Sequence, residues 1–357
     1  MLNFALVGCG RIARKHAGNL AEGRINDANL VAVCDIVEEK ARAYGEKYDL
    51  PWFTDMHQMM KEMGDKIDVV NILTPSGDHA THTIELSQYG KHIVVEKPMA
   101  LTLADADRMI KACDEAGIRL FVVKQNRFNL PVVKLTEALG QERFGKMVMG
   151  TVRVRWSRDQ NYYNQDSWRG TWAHDGGVFA NQAIHHIDLL QWLMGPVESV
   201  FAHSSTRLVD IEAEDTGVVV LKFTSGALGV IEATTATRPK DLEGSISIVG
   251  EGGTVEIGGF AVNDMKVWNF TSPKDEDEKA LSSYKQNPPD VYGFGHTEFL
   301  SNVVESILNK KSALVSGLEG RKSLELVTAI YESIETGKEV TLNFAPQKCR
   351  LGLRDRK

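Results

Sequence analysis

The segment Gly8-Cys9-Gly10-Arg11-Ile12-Ala13 follows an apolar run and opens a helical stretch, an arrangement whose chemistry is anion binding. Gly8 permits the tight turn, Gly10 lets the backbone approach a pyrophosphate, and Ala13 allows the helix to pack closely on its strand, while the helix N-terminus offers N–H groups and partial positive charge. Asp35 closes the next strand, where a carboxylate accepts hydrogen bonds from ribose hydroxyls and repels a 2'-phosphate, so the expected cofactor is NAD rather than NADP. Thr74-Pro75-Ser76 and Glu96-Lys97-Pro98 follow later strands, at the strand ends where doubly wound sheets take ligands. A Glu-Lys-Pro triplet alone is also what a solvated lysine beside a proline turn looks like.

These residues need a scaffold, and the first third of the chain supplies its pattern. Short β-branched runs over 4–7, 30–34, 69–73, 92–95 and 119–122 alternate with amphipathic stretches such as 38–48 and 103–116, which predicts a parallel sheet with helices on both faces. Gly117 is placed to end the second of those helices. After residue 123 the texture changes. A helical stretch near 132–139 precedes alternating runs over 147–156, 197–206, 216–223 and 227–235, read as a largely antiparallel sheet. Helices are expected at 184–194 and 317–336, and the charged run 275–279 reads as a mobile loop. The fold class is therefore α/β: an N-terminal Rossmann domain over 1–122 and a C-terminal α+β domain over 123–357 with a large open sheet, the last helix packing back on the first domain.

Composition narrows the function. A net charge of -7 with 43% hydrophobic and 25% charged residues describes an ordinary globular protein without the basic excess of a nucleic-acid binder. Cys9, Cys34, Cys113 and Cys349 lack paired spacing, so neither a disulfide framework nor a zinc site is suggested. His174, His185 and His186 lack a convincing third ligand, and no metal is expected. With no leader pattern and no apolar run near the roughly 20 residues that span a bilayer, the expected location is cytoplasmic, with no membrane partner.

Taken in order, the fingerprint, the Glu-Lys-Pro triplet and the downstream segment from Gly176-Gly177 through Asn181-Gln182-Ala183-Ile184-His185-His186 to Asp188 resemble the glucose-fructose oxidoreductase and inositol dehydrogenase (Gfo/Idh/MocA) family over nearly the whole chain. The resemblance implies that Lys97 and His185 are catalytic, that the Lys97-Pro98 bond is cis, and that members dimerise or tetramerise through the open sheet. Many members carry Asp four residues before the histidine. Asn181 stands there in this sequence, which leaves a carboxylate-assisted proton relay unsupported. More narrowly, Lys124-Gln125-Asn126-Arg127, Trp168-Arg169-Gly170-Thr171-Trp172, Glu214-Asp215-Thr216-Gly217 and Asp241-Leu242-Glu243-Gly244 resemble the subgroup of bacterial UDP-N-acetylglucosaminuronate 3-dehydrogenases of surface-polysaccharide biosynthesis, as does Asn181-Gln182.

On that resemblance the expected reaction is NAD-dependent oxidation of a sugar hydroxyl, most specifically C3 of a UDP-sugar acid. The alternatives are a dehydrogenase of free sugars or inositols and a non-catalytic nucleotide sensor. His185 is assigned as base and Lys97 as support for the developing alkoxide, with the reverse open and Asn181 beside them. His186, about 100° away on the helix, is expected to be packed. The cofactor set is Gly8, Gly10, Arg11, Ile12, Asp35, Thr74, Pro75, Ser76, His79, Glu96, Lys97, Gln125, Trp168 and Arg169. The substrate set is Lys97, Asn126, Arg127, Arg155, Tyr163, Asn181, His185 and Arg238, the arginines being candidates for the sugar nucleotide's negative charges.

Overall fold

In the computed structural model, residues 1–285 and 293–353 are described. The strands are β1 (Leu2–Val7), β2 (Ala28–Cys34), β3 (Trp52–Phe53), β4 (Val69–Ile72), β5 (His92–Val95), β6 (Leu120–Val122), β7 (Met147–Arg155), β8 (Val197–Ser205), β9 (Thr216–Phe223), β10 (Leu228–Thr234), β11 (Glu243–Gly250), β12 (Gly253–Gly258), β13 (Asp264–Phe270) and β14 (Val340–Thr341). The α-helices are α1 (Ala13–Ala21), α2 (Glu38–Tyr48), α3 (Met56–Met63), α4 (His79–Ser87), α5 (Leu103–Glu115), α6 (Leu130–Gly140), α7 (Gln160–Asn164), α8 (Ile184–Met194), α9 (Ala280–Ser283), α10 (Gly295–Leu308) and α11 (Gly317–Thr336). None of the described helices is long and apolar enough to cross a membrane.

Contacts divide the chain into two compact units, Met1–Val123 with His296–Arg321 and Lys124–Gly295 with Lys322–Lys357. The first is a six-stranded, all-parallel sheet in the order β3-β2-β1-β4-β5-β6, with the strand-order reversal between β1 and β4 that marks a doubly wound fold. Its central strands are buried on both faces, which is why they read as continuous apolar runs. α5 buries Leu103, Ala106, Met109 and Cys113, one stripe at helical spacing, and its first turn is capped by the Thr102 hydroxyl accepting from Asp105 N–H. Past its end Gly117 takes φ +65°, the left-handed conformation expected of the residue that stops this helix.

Residues 296–321 group with the sheet of the first unit rather than with 124–295; the sequence reading places 123–357 in one domain whose last helix packs back on the first. A bridge from Phe121 to Ser316 and the close seating of α11's first turn on β6 explain the grouping. A Cβ at Gly320 would lie 2.4 Å from Val122 Cγ2.

The second unit holds an eight-stranded sheet, β13-β12-β11-β7-β10-β9-β8-β14. All its pairs are antiparallel except β7 with β10, so the sheet is mixed at one seam. α8 covers one face over β7, so closely that a Cβ at Gly150 would come within 2.7 Å of Leu190 Cδ1. The opposite face is exposed and carries Phe201, Val218, Val220 and Leu228 on neighbouring strands. The run Asp275–Lys279, expected as a mobile loop, is instead a short 3-10 helix. Asp277 fixes it by accepting from the Arg143 guanidinium and the Trp268 indole, two partners more than a hundred and nine residues away respectively, one of which no local pattern reveals.

Candidate functional site

In the first unit the nucleotide fingerprint has the geometry its chemistry needs. Gly8 sits at φ +102°, and a Cβ there would lie 2.7 Å from the carbonyl carbon of Leu73. At Gly10 a Cβ would meet nothing within 4 Å, which fits a backbone that a ligand can approach. α1 then starts from Ile12 without a side-chain cap and without an acidic residue in its first turn, so its leading N–H groups suit a phosphate. Asp35 follows β2 and accepts from Cys9 N–H at 2.8 Å and Val37 N–H at 2.9 Å, which fixes the carboxylate beside the glycine turn. These features fit a dinucleotide. Arg11 and Ile12 flank the same turn, half-buried.

Thr74, Pro75 and Ser76 follow β4, and Glu96-Lys97-Pro98 follows β5, with the Lys97-Pro98 bond cis. His79 is buried, with Nδ1 2.7 Å from the Pro98 carbonyl and Nε2 2.9 Å from the Thr74 carbonyl. It therefore braces the two loops against each other. Glu96 is also buried, and its carboxylate meets His16 Nε2 at 3.1 Å, His296 Nε2 at 3.5 Å and its neighbour's Lys97 N–H at 3.1 Å. Burial by itself would push this carboxyl's pKa up, but the hydrogen-bonded His16 and the close-lying His296 outweigh it and hold the group well below the usual carboxylate range. Burial keeps His16 below the ordinary histidine value. Sequence reading missed His16 and His296, which lie 280 positions apart with no motif to join them.

In the second unit His185 stands in the first turn of α8, buried, with Nε2 3.1 Å from the Gln125 side-chain nitrogen. One turn on, Asp188 accepts two hydrogen bonds from Arg127, at 2.8 and 2.9 Å, and lies 3.5 Å from Lys124 Nζ. Although burial pushes the Asp188 pKa up, the two cations prevail and lower it. Arg127 also stacks on the Trp192 ring at 4.7 Å, so this candidate for the substrate's charges is committed to a buried counter-ion. Asn126, beside it, is buried too.

Asn181 lies in a π-turn, Val178–Gln182, that leads into α8, and its amide donates to the Asp175 carboxylate. A carboxylate is thus present beside Asn181, six residues upstream in sequence. The π-turn is held by Glu214 and Tyr331: Phe179 N–H donates to Glu214 Oε1, the Tyr331 hydroxyl donates to the same oxygen at 2.9 Å, and Gly177 and Ala180 N–H donate to that hydroxyl. His186 is fully buried and edge-on to Trp156, and burial drives its pKa down to about 4, so it is a packed neutral histidine as expected.

The remaining candidates are dispersed over this unit. Arg155 projects from β7 onto Glu232 and Glu243, on the sheet's outward side. Tyr163 is buried with its hydroxyl 3.2 Å from Thr235 Oγ1. Trp168 and Arg169 stack on each other in a turn, the guanidinium also bonding Asp166 and the Tyr162 hydroxyl. Arg238 is exposed and donates to the carbonyls of Thr235, Thr237 and Arg158.

Comparison with known proteins accounts for both units. Residues 2–124 match the model of an oxidoreductase family's NAD-binding Rossmann fold, and residues 136–342 match that family's C-terminal alpha/beta domain. The chain therefore belongs to the Gfo/Idh/MocA oxidoreductase family; it is an NAD-dependent oxidoreductase acting on a CH–OH group. Among solved structures it is similar to the WlbA dehydrogenase of Bordetella pertussis in complex with NADH and UDP-GlcNAcA, at 45% identity and TM-score 0.91, covering 96% of this chain and 98% of that one. The WlbA dehydrogenase of Chromobacterium violaceum, in complex with the same two molecules, is 44% identical at TM-score 0.89, covering 96% of each chain. The myo-inositol 2-dehydrogenase of Thermotoga maritima is 32% identical over 348 residues, 96% of this chain and 98% of the relative.

Proposed function

We propose that the chain oxidises the C3 hydroxyl of UDP-N-acetylglucosaminuronate, in the nucleotide-sugar chemistry that precedes surface-polysaccharide assembly. The observation that carries this reading is the likeness, at 45% and 44% identity, to two dehydrogenases solved with NADH and UDP-GlcNAcA, against 32% for the inositol dehydrogenase. NAD+ supplies the hydride acceptor when bound. His185 takes the proton of the reacting hydroxyl, and Lys97 hydrogen-bonds the oxygen as it gains charge. Gln125, 3.1 Å from His185 Nε2, orients the imidazole, and the Asp188 cluster locks the helix that carries it.

For the anionic part of the substrate Arg238 is the favoured arginine. Arg127 is buried against Asp188 and Arg155 is paired with Glu232 and Glu243, whereas Arg238 is exposed and held by main-chain carbonyls. The exposed apolar face of the second sheet, with Phe201, Val218, Val220 and Leu228, suits association of two copies, and a homodimer or homotetramer is part of the same reading.

The test is absorbance of NADH after mixing enzyme with NAD+ and UDP-N-acetylglucosaminuronate, in both steady-state and single-turnover modes. Reduction is expected with that substrate, and His185→Ala is expected to bind NAD+ normally while losing about 10²- to 10⁴-fold in rate. Oxidation of myo-inositol or a free sugar, with no turnover of the UDP-sugar acid, would overturn the substrate assignment.

A further inference from the structure

The buried cluster behind Lys97 has a role that the fingerprint and the Glu-Lys-Pro motif do not state. Two helices of the first unit meet the carboxylate that the loop after β5 brings as Glu96: α1 brings His16 and α10 brings His296, while β4 brings Asn71 behind His16. Asn71 Nδ2 lies 3.0 Å from His16 Nδ1, so that nitrogen accepts and His16 Nε2 carries the proton it donates to Glu96 Oε1. The other carboxylate oxygen, Oε2, accepts from the Lys97 N–H. His79, from α4, holds the far side of the same segment through the Pro98 carbonyl. The peptide bearing Lys97 is thus fixed on both sides.

The ligand-capable atoms of His16, Glu96 and His296 lie within 4.8 Å of one another, a spacing that a small metal ion could also use. In the arrangement present, the imidazole of His16 and the Glu96 carboxylate satisfy each other directly at 3.1 Å. What the arrangement supplies instead is an ionised carboxylate, almost wholly out of water, next to the lysine.

We propose that Glu96 is the positioning residue for Lys97: its carboxylate, gripped by His16 and His296, fixes the Lys97 peptide and supplies the buried anion that favours the charged lysine. This rests on the assignment of Lys97 to the reaction. Glu96 is faced by His16 from α1, His296 from α10, Asn71 from β4, His79 from α4 and Lys97 from its own loop, and burial favours neutral His16 and His79. The anion in this set is Glu96. Removing the anion makes the ammonium easier to deprotonate, so the alkaline limb of the rate profile should move to lower pH.

The experiment compares Glu96→Gln with the wild type in single-turnover hydride transfer across pH, beside NAD+ binding by fluorescence and elemental analysis of the purified proteins. Gln keeps the shape and the acceptor for Lys97 N–H but not the charge. At saturating NAD+ the rate should fall about 10- to 100-fold, as expected for a misplaced catalytic group, with an alkaline shift to lower pH. Should E96Q fail to fold, His296→Gln removes one grip and leaves the carboxylate, and should show the same shift at smaller size. Superimposable profiles and rates within about twofold would overturn the role of Glu96, as would one equivalent of a transition metal that E96Q loses. Lys97→Ala separates the two ideas: a full-rate K97A removes the catalytic lysine and this inference together, whereas a crippled K97A beside an unchanged E96Q removes the positioning role alone.

Discussion

Glu96 in the first unit and Glu214 in the second are both buried, yet their pKa values move in opposite directions. Burial pushes both up. At Glu96 the two histidines overcome it, and both carboxylate oxygens have partners. At Glu214 the donors, Phe179 N–H and the Tyr331 hydroxyl, crowd onto Oε1, while buried Oε2 has no hydrogen-bond partner among the described residues, and the pKa rises to about 7. The difference teaches that depth alone does not decide the charge of a buried acid. What decides it is how many donors its own fold aims at each oxygen.

Asp188 extends the comparison to permanent cations, and breaking it should have the largest effect. Asp188→Asn leaves Arg127 and Lys124 buried without their counter-charge, and the second unit should lose about 3–5 kcal/mol in denaturant unfolding. A loss under about 1 kcal/mol would mean that the two cations find water or another acceptor, and that histidine donors and arginine donors hold their acids equally loosely.

Glu214 should give the next largest effect, and its sign can be worked out. An acid whose pKa is raised in the fold gives up its proton less readily there than in the open chain, so the stability present below about pH 4.5 is lost as pH climbs through about 7. The full loss is on the order of 3 kcal/mol at alkaline pH. Glu214→Gln, which cannot ionise, should flatten the fall in stability between pH 5 and 8 measured by denaturant titration. A variant with the wild-type slope would show that Glu214 is already ionised at pH 5.

Much of the first unit was legible because its information is local. The glycine fingerprint, the apolar strands and the capped helix α5 each announce themselves within a few residues, and the helix at Glu38–Tyr48 agrees with its periodicity to the residue, as do Ile184–Met194 in the second unit and Gly317–Thr336, which begins in the first and continues in the second. The second sheet was legible in part. β11, β12 and β13 are absent from that reading; glycines at 244, 250, 253 and 258 interrupt the alternation of the first two. The parallel seam between β7 and β10 joins strands far apart in sequence, which alternation cannot encode. Side-chain partners were the least legible: Arg127 looked like an anion binder because its acceptor, Asp188, lies 61 positions away. Glu96 belonged to a motif, but the histidines that set its charge come from helices near opposite ends of the chain.

The finest test of the comparison removes a single donor. Tyr331→Phe deletes the hydroxyl that donates to Glu214 and accepts from Gly177 and Ala180 N–H, so the π-turn ahead of His185 loses a shared anchor. The direct cost should be about 1–2 kcal/mol, since the two backbone N–H groups are left without that acceptor. The second consequence distinguishes donor count from burial. The Tyr331 hydrogen bond is one of the influences that lower the Glu214 pKa, so its loss should carry that pKa above about 7 and move the pH at which stability falls upward with it. Were burial alone in control, the midpoint would stay where it is in the wild type while only the overall stability dropped. Paired titrations of Tyr331→Phe and the Tyr331→Phe, Glu214→Gln double variant would isolate the carboxyl's share, because the double variant has nothing at position 214 left to titrate.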